Sequence, residues 1–248
     1  MRTLTVANHK GGCAKSTTTR TLGAVLARDH GRATLLTDVD PQASLSSACG
    51  VRAEQGLGEV LGPDGLLLSD VIVPVADRLD LVPATSYLAD VQLGITARKG
   101  RENLLRRALA TVAERYDVAL VDTPPSLGLL TFAALVAADA VLVPVVPQLL
   151  DLQGLALFMT TLADVGSVPL LGVLPVFFDR RLIHHREALD SMREQGLPVL
   201  DVTVGRSIKV AEAAVLGQDI TAYDPHNPRA AEYRALGEVI DQWLNAHT

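Results

Sequence analysis

KGGCAKST, residues 10–17, follows a short apolar run and opens a segment that is compatible with a helix. A strand–loop–helix unit of this kind wraps the phosphates of a nucleotide, because glycines let the backbone turn sharply and bring amide N–H groups close to phosphate oxygens. The positive end of the helix dipole, near Lys15, points at the same anion. We therefore expect Lys15 to reach the β- and γ-phosphates and the Ser16 hydroxyl to bind Mg²⁺. The predicted nucleotide-binding residues are Lys10, Gly11, Gly12, Cys13, Ala14, Lys15, Ser16 and Thr17.

The loop departs from the strict phosphate-loop pattern at two positions. That pattern has glycine six residues before Lys15 and directly before it, where this chain has His9 and Ala14. Alanine is the smallest residue with a Cβ, so we expect Ala14 to fit with a negative φ. Lys10 is a second lysine at the front of the loop. A single phosphate group needs only one lysine, so Lys10 requires a separate explanation.

Three aspartates lie at or just beyond the ends of apolar segments that are typical of buried strands. Asp38 and Asp40 belong to a DVDPQ motif after the segment 33–38, and Asp122 ends the segment 118–122. The carboxyl ends of parallel strands share the sheet edge where ligands bind. Mg²⁺ takes one or two carboxylates nearby and keeps several waters. We expect Asp122 to contact Mg²⁺ through water, Asp38 to lie in the outer shell of the metal, and Asp40 to position an attacking water.

These three motifs together resemble those of the ParA/Soj family of partition ATPases. That family belongs to the deviant Walker A group, which also holds MinD and the nitrogenase iron protein. The resemblance runs from Thr3 to about Leu244 and includes FDRR at 178–181, GRSIKVAEA at 205–213 and YDP at 223–225. It implies a P-loop NTPase fold and a Mg²⁺-dependent ATPase whose slow turnover is stimulated by a partner.

The resemblance also gives Lys10 a role. In the family the front lysine reaches the nucleotide of a second subunit, which implies that Lys10 contacts the phosphates bound by a dimer partner. Two ATP molecules would then lie between the two subunits. A cation placed where charge develops on the transferring phosphoryl oxygens lowers the barrier. The implied catalytic residues are therefore Lys10, Lys15 and Asp40, and ATP binding is linked to dimerisation.

DNA binding is a further implication of the resemblance. The net charge of −6 means that the chain as a whole repels DNA, so any affinity must come from a local basic patch. The resemblance implies that Arg181, Arg206 and Lys209 form this patch on the dimer and hold DNA without reading its sequence. A ParB-like centromere-binding protein is the implied partner that stimulates hydrolysis. We interpret His184 and His185 as residues of a helix surface.

The length and composition predict one domain over residues 1–248. Hydrophobic residues make up 48% of the chain and aromatic residues 4%, which favours a doubly wound, mostly parallel sheet with helices on both faces. The predicted strands are 3–8, 33–38, 79–83, 118–122, 140–146, 170–177 and a short one near 199–202. The predicted helices are 15–28, 127–138, 152–165, 182–194, one after Ser207, and 228–245, with short helices in 44–75 and helical segments between the third strand and Arg115.

Other functional classes fit less well. A MinD-like membrane-associated ATPase needs a basic amphipathic terminal helix, but residues 237–248 contain Glu238 and Asp241 and no Lys or Arg. A nitrogenase-like reductase needs cysteines that jointly hold an iron–sulfur cluster, and the positions of Cys13 and Cys49 do not suit one. An ATPase of the same type that positions a non-DNA cargo on the nucleoid stays an alternative. No apolar stretch reaches the roughly 18 residues of a membrane span, and we expect a cytoplasmic, nucleoid-associated protein.

Two positions differ from the family pattern. Gly205 stands where proline is common, and Ala211 replaces a common serine. Gly205 lies in the region near the adenine base in the family, so we expect a differently shaped base-binding loop and assign no adenine contact.

Overall fold

A computed structural model describes residues 1–166 and 168–247, and within these ranges the side chains of residues 149–153 are not described. The strands are β1 (Arg2–Val6), β2 (Thr34–Asp38), β3 (Val73–Ala76), β4 (Leu79–Val82), β5 (Val118–Asp122), β6 (Ala140–Val145) and β7 (Leu170–Pro175). They form one seven-stranded sheet in the order β3-β4-β2-β5-β1-β6-β7. Only β3 runs antiparallel to its neighbour among these described strands.

Twelve α-helices surround this sheet in the described part of the chain. They are α1 (Lys15–His30), α2 (Ser44–Ala48), α3 (Leu57–Leu61), α4 (Leu68–Val71), α5 (Tyr87–Ile95), α6 (Leu104–Ala110), α7 (Leu129–Ala137), α8 (Leu149–Val165), α9 (Ile183–Glu194), α10 (Ile208–Val215), α11 (Ile220–Tyr223) and α12 (Pro228–Ala246). None of the helices in the described ranges is long and apolar enough to cross a membrane.

Both faces of the sheet are covered, as the aliphatic strands predict. Leu36 and Leu120 pack with α1 and α12 on one face, whereas the alternate residues Leu35 and Ala119 pack with the α3 to α7 region on the other. Burying a leucine of this kind contributes about 1.5–3 kcal/mol. The prediction of a doubly wound, mostly parallel sheet is confirmed.

Two close approaches fix α1, the helix that carries the phosphate loop. A Cβ at Gly23 would lie 2.6 Å from a methyl carbon of Leu36 on β2, so α1 lies directly on the sheet. A Cβ at Gly237 of α12 would overlap the side chain of Val25, so α12 lies equally close to α1. The position of the start of α1 relative to the carboxyl ends of the strands is therefore fixed by this close packing.

Two strand predictions need correction. The short strand expected near 199–202 is wrong, because Val199 forms only an isolated bridge to Val173 of the edge strand β7, and Val204 only one to Val176, directly after β7. The segment thus contacts β7 at separate points instead of forming a ladder. The sequence analysis also missed β3, an edge strand that contains Pro74 and alternates between half-buried and exposed residues. Proline is tolerated at a sheet edge, where its missing N–H needs no partner.

Candidate functional site

The loop between β1 and α1 has the backbone form of an anion-binding nest. Gly12 has φ +73° and Ala14 has φ +59°, and α1 begins at Lys15. Residues whose backbone conformations alternate between the right- and left-handed regions turn successive N–H groups toward one point. The expectation of a negative φ at Ala14 is therefore wrong, because the turn requires the left-handed region, which costs a residue with a Cβ about 1 kcal/mol.

Lys15 is held inside this loop. Its side chain is 7% exposed, and its Nζ donates a hydrogen bond to the carbonyl oxygen of Lys10 at 3.1 Å. The Cys13 thiol donates to the same carbonyl at 3.1 Å, and burial raises the pKa of this thiol above its usual value. The loop thus surrounds a buried ammonium group, and Cys13 remains a neutral filler beside it.

Asn8 fixes the front of the loop, a role that the sequence analysis missed. Its side-chain amide donates to the carbonyl oxygen of Pro144 on β6 at 2.7 Å, and its side-chain oxygen accepts the backbone N–H of Lys10 at 3.0 Å. Asparagine directly after a buried strand is a signal for such a local backbone bond. The position of Lys10 is therefore tied to two strands.

Asp122 ends β5 beside the start of α1 and is fully buried. Neither of its carboxylate oxygens accepts a hydrogen bond of ordinary geometry from a described residue. Burial and then the neighbouring charge of Asp38 raise the pKa of Asp122 well above its usual value, whereas the Ser16 hydroxyl and the Lys15 charge favour the ionised carboxylate. A buried carboxylate that accepts no hydrogen bond of ordinary geometry is suited to the water shell of a cation.

The other two aspartates lie beside it. Asp38 of β2 is in register with Asp122, and its carboxylate accepts hydrogen bonds from the Ser46 N–H at 2.8 Å, the Ser46 hydroxyl at 2.7 Å and the Asp40 N–H at 3.1 Å. Burial raises the pKa of Asp38 to about 6. Asp40 is 6% exposed and accepts the Gln42 N–H at 2.9 Å. The structure brings all three predicted carboxylates to one edge, but Asp38 already has protein partners.

This donor set fits a hydrated Mg²⁺ that arrives with a nucleotide. Within residues 1–166 and 168–247, no group of three or more His, Cys, Asp or Glu side chains lies close enough to hold a metal ion by itself. Mg²⁺ bound with nucleotides needs only one or two protein groups, since phosphate oxygens and waters supply the rest. Ser16 and Asp122 are the residues that would hold it, and the ion would neutralise charge on the phosphates.

The three predicted basic residues lie near the start of α10 and around the cavity next to it. Arg181 is 84% exposed at its side chain and pairs with Asp179 at 2.7 Å, and the Arg206 guanidinium lies 5.4 Å from the centre of the Phe177 ring. These two arginines line one cavity of about 830 Å³. Lys209 lies on α10, where it pairs with Glu212 at 2.8 Å.

At the same cavity, the absence of a side chain at Gly205 leaves room for an arginine. The Arg229 guanidinium occupies the space beside Gly205, where any side chain would overlap it. Arg229 also pairs with Glu232 and donates to the carbonyl oxygen of Arg206 at 3.3 Å. The loop that contains Gly205 is therefore packed against an arginine of α12.

One histidine interpretation is wrong. His184 is exposed, as expected, but His185 is 5% exposed, and its Nδ1 accepts the Asp179 N–H at 3.1 Å. Burial and the neighbouring His184 lower the pKa of His185. It is a structural residue that positions the Asp179 turn.

Comparisons with known proteins agree with this geometry. A family model described as an AAA domain matches residues 1–168. The chromosome-partitioning ATPase Soj of Thermus thermophilus is 37% identical over 97% of this chain and 95% of its own length. The sporulation initiation inhibitor protein Soj of Bacillus subtilis is 32% identical over 96% of this chain and 97% of its own length. This chain belongs to the ParA/Soj family of chromosome-partitioning ATPases.

A solved structure supports the fold of this ParA/Soj-family protein. Cobyrinic acid a,c-diamide synthase from Mycobacterium smegmatis, crystallised with ADP and magnesium, has a TM-score of 0.85 and 34% sequence identity over 98% of this chain and 95% of its own. The P-loop NTPase fold implied by the sequence motifs is confirmed.

Asp122 gives this ParA/Soj-family protein a testable pH dependence. A raised pKa in the folded state means that unfolding releases a proton at pH values between the ordinary and the raised pKa, so stability falls as the pH rises through that range. Asp122→Asn removes the charge without changing the shape, and we expect it to stabilise the nucleotide-free protein by roughly 2–4 kcal/mol at pH 8 and by less at pH 5.

Urea unfolding of metal-free protein at both pH values measures this effect. Asp201→Asn is the control, because the Asp201 side chain is fully exposed. A loss of stability in Asp122→Asn at pH 8 would show that the Asp122 charge is compensated in the folded protein.

Proposed function

We propose that this chain is an ATP-dependent DNA-partition ATPase that works as a nucleotide-controlled dimer. Mg²⁺-ATP closes two copies around a pair of nucleotides, the dimer binds DNA without sequence preference at the nucleoid, and a ParB-like partner stimulates slow hydrolysis and release. The observation that carries the proposal is the buried Lys15 ammonium, whose charge acts on the buried Asp122 carboxylate at the end of a nest-shaped loop. A binding module that takes no Mg²⁺-nucleotide would not need a buried carboxylate that accepts no hydrogen bond of ordinary geometry from a described residue.

The nucleotide-binding part of the proposal assigns roles to the loop. The amides of residues 10–17 and Lys15 bind the phosphates, and Ser16 and Asp122 hold Mg²⁺. Asp40 positions the attacking water, while Asp38 is a candidate for the outer shell of the metal. The Mycobacterium smegmatis relative, crystallised with a bound ATP analogue and magnesium at 34% identity, supports ATP and Mg²⁺ as the ligands.

The dimer part of the proposal depends on Lys10. Its backbone N–H is held by Asn8 and its carbonyl is used by Lys15, so its side chain starts from a fixed point at the front of the loop. Lys15 already supplies one cation to the phosphates of its own subunit. We assign Lys10 to the phosphates of the partner subunit, where a second cation stabilises the transition state of phosphoryl transfer.

The DNA part of the proposal depends on exposed cations. Lys209 forms a surface pair with Glu212, and an exposed pair of this kind contributes only about 0–1 kcal/mol, so a phosphate of DNA can displace Glu212 at little cost. Arg181 forms a bidentate pair with Asp179, which fixes its guanidinium at the surface. A dimer doubles the number of cations, which explains how a chain of net charge −6 would bind DNA only in its ATP state.

Lys209→Ala tests the DNA surface separately from the nucleotide site. We expect about tenfold weaker DNA binding and a salt dependence lower by about two ions per dimer, because each subunit loses one phosphate contact. ATP-driven dimerisation should stay unchanged. Gel shifts over a range of salt concentrations and sedimentation velocity measure the two properties. Lys99→Ala, at an exposed lysine after α5, is the control, and joint loss of both properties would contradict a separate DNA surface.

The whole proposal is tested by a gel shift on random-sequence DNA with ADP, with ATP and with a non-hydrolysable ATP analogue. We expect a shift with the analogue and with ATP, and little or none with ADP. Equal DNA binding in all three states would contradict a nucleotide switch. If DNA does not bind in any state, the less favoured membrane-associated ATPase replaces the proposal. A related ATPase that positions a non-DNA cargo on the nucleoid would give the same gel shifts, so the protein that stimulates hydrolysis distinguishes it from a partition ATPase.

A further inference from the structure

A second pocket of about 390 Å³ lies along α1, between this helix, the β3–β4 turn and the start of α11. We call it the Arg20 pocket, and the polar residues that line it include Arg20, Arg28, Asp77, Arg78, Gln218 and Asp219. Arg28 follows Lys15 by 13 residues on the same helix, which corresponds to about 20 Å at the usual helical rise. The pocket therefore begins beyond the phosphate loop and extends away from the nucleotide edge.

Arg20 is buried at this place, and two of its nitrogen atoms have no hydrogen bond to a described residue. Its side chain is 7% exposed, and its Nε and Nη1 atoms have no hydrogen-bond partner among the residues that the structure describes. A guanidinium group does not lose its proton in a protein. Burying the guanidinium without an anion is therefore costly. Buried charges in proteins are normally paired with an opposite charge.

The surroundings of Arg20 make the cost larger. Burial raises the pKa of the Cys49 thiol to about 12, even though the Arg20 charge acts in the opposite direction. Ala24 and Ala27, also on α1, are small residues that line the same pocket. Arg20 thus borders a cavity whose walls are partly apolar.

Asp219, one of the two acidic residues that line the pocket, is already engaged. Asp219 is 4% exposed, and its Oδ1 atom accepts hydrogen bonds from the Thr221 N–H at 2.9 Å, the Thr221 hydroxyl and the Ala222 N–H at 3.2 Å. The same oxygen lies 3.8 Å from an Arg28 nitrogen. Asp219 therefore serves the first turn of α11 and Arg28, and it leaves the Arg20 Nε and Nη1 atoms without a bond.

Two further guanidinium groups border the pocket. Arg28 is 43% exposed at its side chain and reaches both Asp29 and Asp219. Arg78 is anchored by a hydrogen bond from its Nη1 to the carbonyl oxygen of Gly31 at 2.9 Å. Three arginines against the two acidic lining residues, Asp77 and Asp219, leave the pocket with an excess of one positive charge.

We propose that the Arg20 pocket binds the oxyanion of a small molecule, a phosphate or carboxylate group, with Arg20 as its main ligand. The planar guanidinium offers parallel N–H donors that match either oxyanion. The volume of the pocket exceeds that of the anion alone and falls in the range of small-molecule sites. Asp77 and Gln218 supply groups that can bind hydroxyls on the rest of the ligand.

The test is calorimetric titration of inorganic phosphate and, in a separate arm, succinate into the protein loaded with Mg²⁺ and a non-hydrolysable ATP analogue, so that the β- and γ-phosphate positions of the loop are already occupied. We expect one site per chain for at least one of the two anions, and the tighter of the two identifies the group. Arg20→Met should weaken this binding roughly tenfold to hundredfold, and Arg28→Gln should weaken it several-fold. Arg106→Gln, at an exposed arginine of α6, should bind like the wild-type protein.

Thermal unfolding in parallel separates binding from folding. Arg20→Met should unfold at a higher temperature than the wild-type protein without anion, because a buried charge is removed, and the anion should raise the unfolding temperature of the wild-type protein only. If Arg20→Met does not fold, the anion affinity of Arg28→Gln is compared with that of the wild-type protein instead. Absence of binding at millimolar anion, or equal affinity in the wild-type protein and the decisive variant, would overturn the site.

Discussion

Asp40→Ala is expected to bind Mg²⁺-ATP, to dimerise and to remain on DNA, while it hydrolyses ATP at least about 100-fold more slowly than the wild-type protein. Asp40 is buried next to Asp38, and its backbone N–H is bound by the Asp38 carboxylate. Its side chain is therefore held at the sheet edge that carries the phosphate loop. Removing this carboxylate removes the group that orients water for attack, but it leaves the phosphate contacts in place.

Partner-stimulated phosphate release measures the loss of hydrolysis, and retention on DNA measures whether the ATP-bound dimer persists. Asp40→Asn keeps a side-chain oxygen for the Gln42 N–H, so it separates loss of the charge from loss of the local turn. Asp201→Ala, at a fully exposed aspartate, is the matched control. Rapid hydrolysis by Asp40→Ala would remove Asp40 from its proposed role.

Lys15→Ala should weaken nucleotide binding by at least about 100-fold, because charge-assisted hydrogen bonds to phosphate are each worth roughly 1.5–3 kcal/mol. The ammonium group is enclosed by the loop and contacts the Lys10 carbonyl oxygen, so the substitution removes a positive charge from inside the loop. The buried position also means that the variant loses no solvent-exposed interaction surface.

Titration with a fluorescent ATP analogue measures the loss, and Lys99→Ala serves as the control for removing one lysine charge. Thermal unfolding without nucleotide checks that the loop variant still folds. ATP affinity within tenfold of the wild-type value in a folded Lys15→Ala protein would show that the nucleotide is bound elsewhere.

Most of the fold was predictable because the strands are continuous aliphatic runs that alternate with helical segments. The errors arose where tertiary position decides the structure. The valine-rich segment near 199–202 has strand character, but it touches β7 at single residues. The edge strand β3 contains a proline and is only partly buried, so its pattern resembles a loop. His185 is buried by packing around the Asp179 turn, which its polar sequence neighbours do not indicate.

The site was predictable to the level of residue types at strand ends. Sequence position alone could not distinguish Asp38, which is bound by Ser46 from the following helix, from Asp122, which has no such partner among the described residues. The positive φ of Ala14 was missed because the backbone geometry of the nest outweighs the preference of the residue. Arg20 lies within a threonine-rich run that looks exposed, and only the packing of several elements around α1 reveals that it is buried.

The central claim is that Lys10 joins two subunits across their nucleotides. Sedimentation velocity of the wild-type protein and Lys10→Ala with Mg²⁺ and a non-hydrolysable ATP analogue tests it most directly, with nucleotide affinity measured on the same samples. The account predicts a dimer for the wild-type protein and a monomer for Lys10→Ala, although the variant still binds nucleotide through Lys15. A Lys10→Ala protein that binds the analogue and dimerises as fully as the wild-type protein would contradict it.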